Sequence, residues 1–169
     1  MSRRALLLLV VFLVVSQLHG QTVGSKCLTP PLRSDWLIRH QANASTLAFR
    51  NNDPQYIPVT VHLVADNNGF SSIDQVKILE AFCQLNEAFA PTGIHFFLNT
   101  FRDIRNSNYY EHSSAFTSAQ MMNEHNVWGT VNVYFVEKAV TEDACGFNLV
   151  NNETRASFGI VLANGCTNV

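Results

Sequence analysis

The chain has 169 residues, 47% of them hydrophobic and 14% charged, with a formal net charge of −2. That length fits one domain, and the apolar fraction suffices for a core, which excludes the low-hydropathy, high-charge composition of a disordered chain. The Lys and Arg residues are scattered and form no basic stripe able to neutralise phosphates, which argues against nucleic-acid binding.

Residues 1–20 read as a secretory signal peptide: basic Met1-Ser2-Arg3-Arg4, the unbroken apolar run Ala5 to Val15, and Ser16-Gln17-Leu18-His19-Gly20. The run is shorter than the ~20 apolar residues a membrane span needs, so a secreted, extracellular protein without a membrane anchor is expected. Cleavage after Gly20 removes Arg3 and Arg4 and leaves a more acidic chain. In an oxidising compartment Cys27, Cys83, Cys145 and Cys166 read as disulfide formers rather than metal ligands, and none forms a C-x-x-C pair. Of the three possible pairings, Cys145 with Cys166 is favoured, because two loop cysteines closing a short segment stabilise by about 3 kcal/mol in the chain-entropy model. Cys83 falls on the apolar side of a helix, where a buried free thiol is the alternative. Asn43-Ala44-Ser45 and Asn152-Glu153-Thr154 are N-glycosylation sequons.

Residues 21–56 are polar, broken by Pro30, Pro31 and Pro54, and lack a sustained period, as in an N-terminal extension or pro-segment; the domain itself is expected over 57–169. Ile57 to Ala65 alternates, with Ile57, Val59, Val61, Leu63 and Ala65 on one face and Thr60 and His62 on the other, which predicts a strand. Asp66-Asn67-Asn68-Gly69 signals a turn, and Ser72-Ile73-Asp74-Gln75 fits a capping box opening a helix. Its apolar side is read as Ile73, Val76, Leu79, Phe82, Cys83 and Phe89, with Lys77, Glu80, Gln84 and Glu87 outward, up to the stop Pro91-Thr92-Gly93. Ile94 to Phe101 is a second strand, so strand, helix and strand form a right-handed crossover with parallel strands. Residues 102–114 read as a loop, Ala115 to Asn126 as a short helix, Gly129 to Val136 as a strand, Cys145 to Val150 as a short edge strand and Ser157 to Ala163 as a last strand. The expected class is α/β, with a mixed, mostly parallel five-stranded sheet and one long crossover helix.

Beyond the signal segment the histidines are His40, His62, His95, His112 and His125, and none is paired at i and i+4 as in H-E-x-x-H. Glu111-His112 and Glu124-His125 each hold one half of such a pair and read as ordinary solvated residues. His62 and His95 are candidates for neighbours on adjacent parallel strands, with a satisfied sheet histidine as the favoured role. No G-x-S-x-G elbow, phosphate loop or Cys/His dyad stands out, so no catalytic or metal-binding residue is assigned.

The order of elements, with Ile57-Pro58-Val59-Thr60-Val61-His62-Leu63-Val64, Ile94-His95-Phe96, Val131-Asn132-Val133-Tyr134-Phe135-Val136, Cys145-Gly146-Phe147 and Gly159-Ile160-Val161-Leu162, resembles the pappalysin-like (cytophagalysin) branch of the metzincin zinc peptidases over about residues 56 to 166. The resemblance implies a five-stranded upper subdomain, a following active-site helix with H-E-x-x-H-x-x-G-x-x-H, zinc as cofactor and a peptide or protein substrate. The helix and its motif are absent from these residues, so this chain alone is expected to be inactive and to bind no zinc. The transferable site is the antiparallel edge strand above the cleft, matched here by Gly146, Phe147, Asn148, Leu149 and Val150, whose backbone would pair with extended substrate. The expected function is the N-terminal part of a secreted zinc endopeptidase ending before its catalytic helix; the alternative is a complete non-catalytic secreted pseudoenzyme or protein-binding module. The oligomeric state is not readable from the residues.

Overall fold

A computed structural model describes residues 26–27, 38, 42, 53–71, 73–140, 144–149 and 159–166. The signal segment, most of the N-terminal extension, Asn43, Asn152 and Val150 lie outside the described residues. The elements in chain order are β1 (Lys26–Cys27), β2 (Gln55–Ala65), α1 (Gln75–Phe89), β3 (Ile94–Arg105), α2 (Ser107–Glu111), α3 (Ala115–His125), β4 (Val131–Val136), β5 (Ala144–Leu149) and β6 (Gly159–Ala163). No helix among the described residues is long and apolar enough to cross a membrane.

The strands form one sheet in the order β1-β5-β6-β4-β2-β3. β2, β3, β4 and β6 run parallel, while β5 is antiparallel to β6. The fold is therefore α/β, with five strands carrying a mostly parallel sheet and two residues of the N-terminal extension bordering β5 as β1. The step from β2 to β3 runs toward one side of the sheet and the step from β3 to β4 runs back. Right-handed crossovers made in opposite directions place their helices on opposite faces. Accordingly Ile78 of α1 packs with Val59, Val61, Leu63 and Phe135 on one face. Tyr109, Tyr110, Met121 and Met122 of α2 and α3 pack with Val64, Tyr134, Val136 and Val161 on the other. The alternation of β2 thus separates two cores rather than core from solvent: Thr60 and His62, opposite Val59 and Val61, are fully buried.

Helix α1 differs from its sequence reading at both its start and its inner face. Asp74 caps it, its carboxylate accepting the Val76 N–H at 2.9 Å, where the capping box placed Ser72. A carboxylate at that end also meets the positive pole of the helix. Ile78 is the buried residue of α1, whereas Val76, Leu79 and Cys83 are exposed. The physical reason is Asn86, two turns beyond Ile78 on the same face. Its Nδ2 donates to the Phe96 carbonyl at 2.9 Å and its Oδ1 accepts the Phe96 N–H at 2.7 Å. One amide thereby satisfies both outward backbone groups at one position of the border strand β3, and that two-point contact sets the rotation of the helix.

The stretch 102–114, read as a loop, instead contains the last four residues of β3 and all of α2. Arg102, Asp103 and Arg105 hide the strand signal because they lie exposed on a sheet border, where charged side chains are tolerated. A bulge between Val59 and Thr60 inserts Asn99, whose Nδ2 donates to the Thr60 hydroxyl at 3.3 Å.

Candidate functional site

Residues Gly146 to Leu149 of the expected pairing strand lie in β5, in the register Gly146↔Leu162, Phe147↔Val161, Asn148↔Ile160 and Leu149↔Gly159 against β6. A Cβ added at Gly146 would sit 2.6 Å from the Val161 carbonyl oxygen and 2.8 Å from the Leu162 side chain. Glycine is therefore required for the close approach of the two strands. Cys145 and Cys166 are disulfide-bonded, with Cα atoms 5.3 Å apart. Cys145 proves to lie within β5 rather than in a loop, and because β5 and β6 are antiparallel, its position falls beside the turn that follows β6. On the side of β5 away from β6, Lys26 pairs with Ala144 and Cys27 with Gly146, in parallel. Lys26 and Cys27 thus lie along the first half of the strand to which the resemblance gives substrate pairing, so β5, read as an edge, is bordered by β1 from Ala144 to Gly146.

The histidines are held apart, each with its own surroundings. His62 is in register with Arg102, and His95 with Tyr56, so the two are seven positions apart along the ladder and are not neighbours. His95 stacks on Tyr56 with ring centroids 5.4 Å apart. His125 is half-buried, 3.8 Å from the Glu124 carboxylate. That carboxylate accepts the Tyr109 hydroxyl at 2.6 Å, which holds it below its usual range, while burial pushes the Tyr109 phenol up to about 12.

His112, read as solvated, is fully buried at the end of α2 in the left-handed region (φ 39°). Its Nδ1–H donates to the Tyr109 carbonyl at 3.2 Å, which leaves Nε2 to accept the Ser118 hydroxyl. Its carbonyl accepts the N–H of Val140, another non-glycine residue at positive φ (68°). Two strained backbones are thus tied together, and burial lowers the His112 pKa. A Ser–His pair of this kind is a nucleophile and its base in outline, but both side chains are wholly enclosed, so the arrangement holds the α2–α3 corner and presents no reacting atom.

The densest polar cluster lies around His62, on the face covered by α2 and α3. Asn132 Oδ1 accepts the Val127 N–H at 2.8 Å, and its Nδ2 donates to the Val127 and Thr130 carbonyls at 3.1 and 3.3 Å. The amide orientation is therefore fixed, and the His62 Nε2 contact to the same Oδ1 at 2.9 Å must be a donation. The neutral ring then keeps its lone pair on Nδ1, which is buried without a hydrogen-bond partner. The His62 ring stacks on Tyr134 at 4.1 Å, and the Tyr134 hydroxyl donates to Asn126 Oδ1 at 2.7 Å. Burial lowers the His62 pKa to about 4, against the hydrogen bond to Asn132, which raises it. Asn132, Tyr134 and Ser118 were not legible as site residues. The register Thr60↔Asn132 and His62↔Tyr134 is the signal that joins the first two to His62, and a one-dimensional pattern does not contain it.

No three His, Cys, Asp or Glu side chains among the described residues converge on a point that could hold a metal ion. No family model matches the sequence, and no curated protein is significantly similar to it.

Proposed function

We propose that this domain supplies the substrate-pairing wall of a secreted zinc endopeptidase of the pappalysin-like metzincin kind, with β5 binding extended peptide through its backbone. The observation that carries the reading is β5 itself: a single antiparallel strand beside β6 in an otherwise parallel five-stranded array, as the sequence resemblance implies for the strand above the cleft. Strand addition of this type draws on main-chain groups and tolerates varied side chains. The described residues do not fit a catalytic zinc, because His62, His112, His95 and His125 face separate partners, so no catalytic step is assigned to this chain. The proposal therefore assigns the metal ligands and the general base to sequence outside these 169 residues. Sequencing the transcript beyond the Val169 codon tests it: an in-frame H-E-x-x-H is expected. A stop codon at that point would overturn the peptidase reading in favour of a non-catalytic secreted binding module.

A further inference from the structure

We propose that His62 is a proton-operated latch on the loop Asn126 to Thr130, holding it while the ring is neutral and releasing it when Nδ1 takes up a proton. Two side chains in contact with His62 fasten this loop. Asn132 binds both backbone groups of Val127 and the Thr130 carbonyl, and Tyr134 binds Asn126. Gly129 completes the turn at φ 78°, a conformation disfavoured for other residues, and Trp128 between them is 79% exposed. The loop is thus a tight, side-chain-fastened turn carrying a solvent-facing indole.

The imidazole is the weak point of this fastening because it has a single satisfied nitrogen. Protonation at Nδ1 would create a second N–H with no acceptor in a fully buried site. The groups that face or act on it are Arg102 in register on β3, His125 at the end of α3, and neutral Tyr134 stacked on it from β4. Arg102 and His125 both oppose a positive charge on His62, and the Glu124 carboxylate lies beside His125. A charged ring is therefore relieved by turning toward water, which removes the stacking on Tyr134 and the Nε2–H donation to Asn132 that hold the two fastening side chains in place, and the loop loosens with them.

The test is amide hydrogen exchange of Val127, corrected for the intrinsic pH dependence, together with the NMR titration of the His62 ring in the full chain. Between pH 7 and pH 5 the opening equilibrium at Val127 is expected to rise about 20-fold while the core amide of Val61 changes far less. In His62→Gln, whose side-chain amide can still donate to Asn132 but does not titrate, the rise is expected to vanish. The proposal is overturned if Val127 protection in the native chain is independent of pH, or if His62→Gln shows the same rise. Should that variant fail to fold, the native chain alone decides. The Val127 opening equilibrium must begin to rise as the pH falls through the free-imidazole value of 6.5 and level off near the folded ring's value of about 4, and a profile without these two bends would overturn the latch.

Discussion

Asn132 makes four hydrogen bonds through one amide, two of them as acceptor and two as donor. Asn132→Ala strips partners from the Val127 N–H and the His62 Nε2–H together and should cost about 2–4 kcal/mol in urea unfolding. A loss below about 0.5 kcal/mol would mean that water replaces the amide. The histidines also set a pH dependence whose sign is fixed. The folded-state pKa of His62 is about 4 against 6.5 for the free side chain, and burial lowers His112 in the same direction. The unfolded chain therefore binds more protons between these values, so the contribution is fully present above about pH 6.5 and declines as pH falls toward 4. For His62 it amounts to roughly 3 kcal/mol at most. Thermal melts from pH 7.5 to 4.5 should show this decline, and His62→Gln should flatten it. An unchanged slope in the variant would place the sensitivity elsewhere.

At the scale of elements, Gly146 and the disulfide together position β5. Gly146→Ala drives a Cβ against the Val161 carbonyl, and the overpacking should cost about 1–3 kcal/mol and loosen the β5–β6 ladder, read by exchange of the Phe147 amide. Replacing Cys145 and Cys166 together by Ser frees a closure spanning a sequence separation of 21 residues and should cost about 3 kcal/mol of unfolding free energy. Equal stability of the oxidised protein and the double variant would contradict it. These elements were legible in unequal degree. The alternation of β2 and β4 and the stop at Pro91-Thr92-Gly93 could be read directly, because period and breaker chemistry are local. The rotation of α1 could not, because it is decided by Asn86 reaching the Phe96 backbone, and polar anchors are invisible to a hydrophobic pattern. Nor could α2, a five-residue turn of helix whose Tyr109 and Tyr110 are buried in the second core.

At the scale of the molecule, the sheet has a core on each face, and β5 marks where it departs from parallel order. The alternation of β2 marked only the first core; the second needed α2, α3 and the long-range pairing of β2 with β4, contacts far apart in sequence. The same limit applies to the site. The strand holding Gly146 to Leu149 was reached through the order of elements, its pairing role resting on the resemblance alone, whereas the pairing of Lys26 and Cys27 with Ala144 and Gly146 had no signal in the polar N-terminal extension. If β5 pairs extended peptides, that segment shares the strand with its ligand. A chain beginning at Asn52 should then bind such peptides more tightly than the full chain, measured by fluorescence anisotropy, and equal affinities would show that the extension does not compete.

A peptide strand received by β5 would change the β5 backbone itself. The measurement that bears on it most directly is NMR of the 15N-labelled chain titrated with an extended, uncharged peptide, following the amides of β5 that face away from β6. Saturable shifts and slowed hydrogen exchange are expected at those amides, with the parallel core of β2 and β4 unchanged. Peptide-induced changes confined to any other surface, with β5 silent at saturation, would contradict it.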